Sequence, residues 1–355
     1  MSELQLGTKK GLFVLEGDPG AGEFEIRSRA FPGEPVDFAM RDPQTGRILA
    51  TVTSPFYGPK IWFADDPAGE WTQAEGVALP DGSDEALERI WVIVPGEGGV
   101  LWAGGDPGVL FESRDGGQTW ELNRALRQHR IDDDWQPGGG GLCLHSIVPW
   151  PGEPDRVSLA VSAAGVWHTD DHGETWRRGN QGIVARYLPE EAREGATQLC
   201  VHRMERAARQ PERMFIQFHW GVYRSDDAGE SWTEIGEGLP SDFGFPLTTD
   251  PADPDSAYVI PLKGDFDRVT PDGNVRVYET RDAGATWTPR GDGMPNRDAY
   301  LTVLRRAFDR AGEGPALQLY FGATSGDVFG SGDAGETWFT AATRLPPVFS
   351  VTATA

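Results

Sequence analysis

Apolar and polar positions alternate along this chain in short bursts. Runs of four to seven residues rich in Val, Ile, Phe, Tyr and Trp stop at turns that carry Gly or Pro. One set lies at 90–94, 142–148, 198–204, 245–249 and 300–304. A second follows at 100–103, 157–161, 213–218, 257–262 and 316–321, and a third at 108–111, 165–168, 221–224, 275–278 and 326–329. Each third run leads into an octapeptide whose closing Trp opens a fourth. These lengths, residue types and boundaries predict β-strands, and no stretch holds a useful helical period.

The octapeptide first reads Ser113-Arg-Asp115-Gly-Gly117-Gln-Thr119-Trp120, and it returns around Asp171, Asp227, Asp282 and Asp333. The central aspartates are 56, 56, 55 and 51 residues apart, and a degenerate copy ends at Trp71. An even period of this kind predicts a repeat architecture. The pattern is that of a hairpin turn. The carboxylate accepts hydrogen bonds from the turn's own amides, the glycine two residues on supplies a positive φ, and the Trp buries a large apolar area on the returning strand. A carboxylate repeated at every turn cannot be one active site, so Asp115, Asp171, Asp227, Asp282 and Asp333 are read as structural.

Four strands in a unit of about fifty residues make a propeller blade. Runs at 48–52 and 59–64 give one more unit, and runs at 4–7 and 11–15 another that lacks its opening strand. The apolar run at 348–353 fits the missing place. The expectation is an all-β, seven-bladed β-propeller of four-stranded antiparallel blades, closed by the C-terminal strand joining the N-terminal blade. It forms one domain over 1–355, with blades at 348–355 plus 1–30, 31–75, 76–124, 125–180, 181–236, 237–291 and 292–347.

Composition narrows the partners. The formal charge of −23 opposes phosphate backbones, so nucleic acid and anionic membranes are not expected. No apolar stretch approaches the length of a membrane helix. The first ten residues show neither an apolar run nor a cleavage site, and two cysteines cannot make a disulfide framework, so a reducing cytoplasm is the expected location.

The octapeptide resembles the Asp-box (BNR) repeat of sialidases, sortilin-type receptors and related propellers, over nearly the whole chain. The bacterial sialidase-like proteins of unassigned activity are the nearest in appearance. The resemblance implies a binding face opposite the Asp-box turns, on loops 72–89, 121–141, 177–198 and 233–244 and turns 8–10, 55–60, 219–220 and 263–274. A sialidase also needs an early Phe/Tyr-Arg-Ile-Pro motif for its first arginine. That motif is missing here, and nothing gathers Arg89, Arg203 and Arg305 around one point, so sialidase activity is not expected.

Two groups of candidates remain. Cys143-x-His145 and Cys200-x-His202 are offset by 57 residues, one repeat, and His219 ends a strand of the later blade. His145, His202 and His219 could converge at the channel mouth as acid–base groups or hold a metal ion. The plainer reading has His145 and His202 packing between blades against backbone carbonyls. The second group is Lys10, Tyr57, Lys60, Trp135, Trp220, Lys263, Asp265 and Arg268, on the expected loop face. The functional expectation is a propeller that binds a small molecule, carbohydrate or protein there. The alternative is a glycoside hydrolase or lyase, or a metal-dependent enzyme built on the histidines.

Overall fold

The structure, a computed structural model, describes every residue except Glu194, Gly195 and Asp265. It contains seven four-stranded antiparallel sheets, each ordered from an inner to an outer strand. In chain order the inner strands are Val36–Arg41, Arg89–Pro95, Cys143–Trp150, Val201–Arg206, Gly244–Asp250, Phe308–Ala311 and Val348–Thr354. The last of these pairs antiparallel with Ser2–Thr8, setting Leu6 opposite Val351 and Leu4 opposite Ala353. The two ends of the chain therefore share one sheet, and the ring has no open edge there. Among the described residues, no helix is long and apolar enough to cross a membrane.

The Asp-box turns behave as their chemistry requires. Asp115 Oδ1 accepts from the amides of Gln118 and Thr119 and from the Ser113 hydroxyl, while Oδ2 accepts from the Thr119 hydroxyl at 2.7 Å. The same bonds from the fifth-residue amide and the two flanking hydroxyls recur at Asp171, Asp227, Asp282 and Asp333. Positive φ extends one residue further than the sequence suggests. His172, Ala228, Ala283 and Ala334 precede the turn glycine and are themselves left-handed. The turn's hydrogen bonds offset that backbone cost.

These turns also join blades. Trp120, Trp232 and Trp338 donate their amides to the carbonyls of Glu75, Gln181 and Asp292, which follow the outer strand of the preceding blade. His168 bridges a similar seam. Its ring contacts the Ser158 hydroxyl at 2.9 Å and the Gly229 carbonyl of the next blade at 3.1 Å.

Two local expectations fail. The opening strand of the seventh blade is Phe308–Ala311, not 300–304. Leu301 and Val303 are buried, but Leu301 spends its backbone groups on Thr270, and the Thr302 hydroxyl donates to Arg268. The segment thus bonds to the long turn of the sixth blade and, through the Thr302 carbonyl, to the Thr324 amide in a turn of the seventh, and it takes no place in a sheet. The second failure is in 121–141, which holds a helix, Arg124–Asp132, capped by the Asn123 side chain on the Leu126 amide. Leu126 and Arg130 are its buried residues, too few to give a helical period in the sequence.

Candidate functional site

The inner strands share an irregularity that builds the channel lining. In five of them one residue is skipped by the pairing register: Asp37, Trp91, His145, His202 and Phe349. In the sixth blade the skipped pair is Phe245 and Pro246. A bulge of this kind re-aims the side chain it carries. Arg305, just before the inner strand of the seventh blade, completes the ring. Its guanidinium lies 4.7 Å from the Phe245 ring and 5.9 Å from that of Trp91. Arg89 pairs with Asp37 at 3.3 Å. Asp37, Arg89, Trp91, Arg305, Arg306 and Phe349 line a cavity of about 180 Å³ at the end where the inner strands begin.

That end is the loop face, since it carries the blade-to-blade connections and the turns between second and third strands. His145 spends both ring nitrogens there, on the Ser146 hydroxyl at 3.0 Å and on the Val201 carbonyl of the next blade at 2.8 Å. It joins blades and does not converge with the other two histidines. The ring of His202 places Nδ1 2.6 Å from the Gly244 carbonyl, again the next blade, and Nε2 3.3 Å from Nδ1 of His219. Burial, and then the Arg305 charge, hold both His145 and His202 well below the usual imidazole range. The third member of the cluster is Cys200. Its sulfur and the two imidazoles offer ligand atoms all within 4.8 Å of one another. Cys143, one repeat earlier, is buried, donates to the Gly140 carbonyl at 2.9 Å and has its thiol pushed up to about 12 by burial.

The other candidates scatter. Lys10, Tyr57, Lys263 and Arg268 are exposed, and Lys60 and Trp220 are half-buried. Arg268 lies over the Phe245 ring at 5.6 Å, and Trp220 packs on His219 and Tyr187. Trp135 is a core residue instead of a binding-face one. It is buried with its ring 4.8 Å from that of Trp167, because the short helix before it folds the segment inward. Asp265 lies outside the described residues.

The larger cavity is at the opposite end. The later residues of the inner strands, on the Asp-box side, enclose about 580 Å³. Arg41, Arg203, Arg206, Arg306 and Arg310 line it, against the acidic side chains of Glu205 and Asp309. Glu205 is held between Arg203 and Arg310, and these cations keep its carboxyl low in spite of burial. Burial pushes Asp309 up to about 6, against the pull of Arg310. Arg206 stacks on Trp150 at 4.4 Å, and burial and Arg156 bring it down to about 10. Nε and Nη1 of Arg203, Nε of Arg206 and Nε of Arg306 are buried without a hydrogen-bond partner. Of this arginine group, sequence reasoning raised only Arg203, and it placed the candidate loops at the other end of the channel. The available signal was arginine inside otherwise apolar inner strands.

Comparison with known proteins agrees with this architecture. A family model for the BNR/Asp-box repeat matches residues 111–122. The photosystem II assembly lipoprotein Ycf48 of Synechococcus sp. (strain CC9902) is 27% identical over 150 residues, a match covering 40% of this chain and 35% of that protein. The match thus spans about a third of that relative's length. Among solved structures, an ancestral GH74 enzyme superposes with a TM-score of 0.57 at 16% identity, covering 83% of this chain and 36% of the other. A Ycf48 structure bound to D1 peptide gives 0.51 at 14% identity, covering 86% and 84%. At such identities the likeness concerns the fold alone. The chain is a seven-bladed β-propeller built on Asp-box (BNR) repeats.

Proposed function

We propose that this protein is a binding propeller, and that the Asp-box end of its channel receives an anionic segment of a partner protein. The observation that carries this reading is the convergence of Arg41, Arg203, Arg206, Arg306 and Arg310 on one cavity of about 580 Å³ in a protein of net charge −23. Five arginines gathered at one place run against the overall charge. A carboxylate entering the cavity offers a guanidinium an acceptor in the bidentate geometry that it favours. The net negative charge does not forbid such a ligand. At physiological salt its field is screened beyond ~8 Å, so the local cations dominate inside the channel. That one structural neighbour holds a peptide is consistent with a peptide ligand here. A glycosidase needs two available carboxyl groups ~5–9.5 Å apart. In this cavity Glu205 is already engaged by two arginines, and Asp309 accepts the Ala353 amide at 3.0 Å.

The test is fluorescence anisotropy with labelled Asp/Glu-rich peptides and charge-matched Lys-rich controls. Saturable binding of the acidic set, weakened at least tenfold by Arg306→Gln and Arg206→Gln, is expected. Equal affinity for both peptide sets, or no effect of either variant, refutes it.

A further inference from the structure

The loop-face end carries a second, independent site. Cys200 and His219 are cross-strand neighbours: the His219 amide donates to the Cys200 carbonyl at 3.1 Å, beside the Val201–Phe218 pair. His202 is the bulge residue two positions on, so its ring leaves the regular alternation and turns to the same point. We propose that Cys200, His202 and His219 form a binding site for a thiophilic transition-metal ion of the zinc type, with one coordination position left open.

Three features of the geometry carry this. First, the spacing fits. An ion bound tetrahedrally to two imidazoles at ~2.05 Å sets their nitrogens about 3.4 Å apart. Nε2 of His202 and Nδ1 of His219 are 3.3 Å apart. A sulfur–nitrogen edge of the same tetrahedron is about 3.6 Å, so a thiolate within 4.8 Å closes the triangle with a shift of about an ångström. Second, the ring of His202 is oriented from outside. The Gly244 carbonyl accepts a hydrogen bond from Nδ1–H at 2.6 Å, which leaves the Nε2 lone pair directed at the cluster, as the outer partners of metal-bound imidazoles do. Third, the surroundings suit a partly enclosed soft site. The rings of Phe243 and Phe245 pack on His202, that of Trp220 packs on His219, and Cys200 and His219 stay half-buried, which gives an entry path. A thiolate with two imidazoles and no carboxylate favours zinc-type ions over magnesium or calcium, which take oxygen donors.

Cobalt(II), whose thiolate complexes are coloured, is the probe. The reduced full chain should bind one Co²⁺ with a sulfur charge-transfer band and tetrahedral d–d bands, and Zn²⁺ should displace it. Cys200→Ser should remove the charge-transfer band. His219→Gln should weaken binding by more than about a hundredfold, beyond the effect of losing an outer partner. Zn²⁺ should also protect Cys200 from alkylation and raise the melting temperature of the unaltered chain, a readout that needs no variant to fold. Absence of stoichiometric Co²⁺ binding, binding without a sulfur band, or unchanged affinity in both variants would overturn the assignment. The arginine cavity is at the other end of the channel, so peptide binding there neither supports nor weakens it.

Discussion

Gly182 tests whether the Asp-box turns hold the ring together. It follows Gln181, whose carbonyl accepts the Trp232 amide of the next blade at 2.8 Å. Its φ is +86°, and a methyl group there would overlap the Trp232 carbonyl oxygen. Gly182→Ala therefore meets two costs. The left-handed backbone costs a residue with a Cβ about 1–2 kcal/mol. The overlap pushes the two blades apart and breaks the Trp232–Gln181 hydrogen bond, worth about 1 kcal/mol, with further loss where Trp232 is buried. The expected total is about 3–5 kcal/mol. Gly238 separates the two costs: its φ is +91°, and nothing lies within 4 Å of an added Cβ. Gly238→Ala should cost only the backbone share. Urea unfolding followed by tryptophan fluorescence reads both as shifts in midpoint at constant slope. If Gly182→Ala is no more destabilising than Gly238→Ala, the seam does not carry the load assigned to it. The same joint recurs at Gly76 against Trp120 and Gly293 against Trp338, so alanine there should behave like Gly182→Ala.

Removing 348–355 should lower stability by more than about 5 kcal/mol and promote aggregation on size-exclusion chromatography, because Val348 and Val351 are buried and the Ser2–Thr8 strand is left as an open edge. Asp227→Ala removes the acceptor of the Ser231 amide and of two hydroxyls and should cost about 1–3 kcal/mol by the same urea assay, with peptide binding retained. The fold should be acid-labile. Burial holds His145 and His202 well below 6.5 and His168 at about 4, so their contribution is complete above pH ~6.5 and is lost as pH falls towards 4. Asp309, raised to about 6, has the opposite sign: its contribution is present below about pH 4 and lost as pH rises through 6. Burial also raises Asp37 and Asp106, with the same sign as Asp309. The three histidines dominate between pH 7 and 5, where their loss begins at the ordinary imidazole value, so urea midpoints should fall over that range, and Asp309→Asn should steepen that fall while adding on the order of 1–3 kcal/mol at pH 7. Unchanged midpoints across this range would refute the assignment of neutral buried imidazoles.

The repeat made the fold legible from the chain alone. Asp-box turns act through bonds within eight residues, so their role could be read locally, and the missing first strand with its C-terminal replacement followed from counting. The offset of 57 residues between His145 and His202 was also visible, and in the structure both occupy the bulge of an inner strand and bond the next blade's backbone. What stayed hidden depends on register and on where blades meet. A one-residue bulge decides whether His202 points into a sheet or towards Cys200 and His219, and local residue preference does not specify it. The helix before Trp135 has one buried leucine, too weak a signal to show that it carries the tryptophan into the core. The arginine cavity is built from side chains of separate blades, from Arg41 to Arg310. Their convergence is a property of ring closure, which gathers distant inner strands around one axis, and only the tertiary structure could decide it.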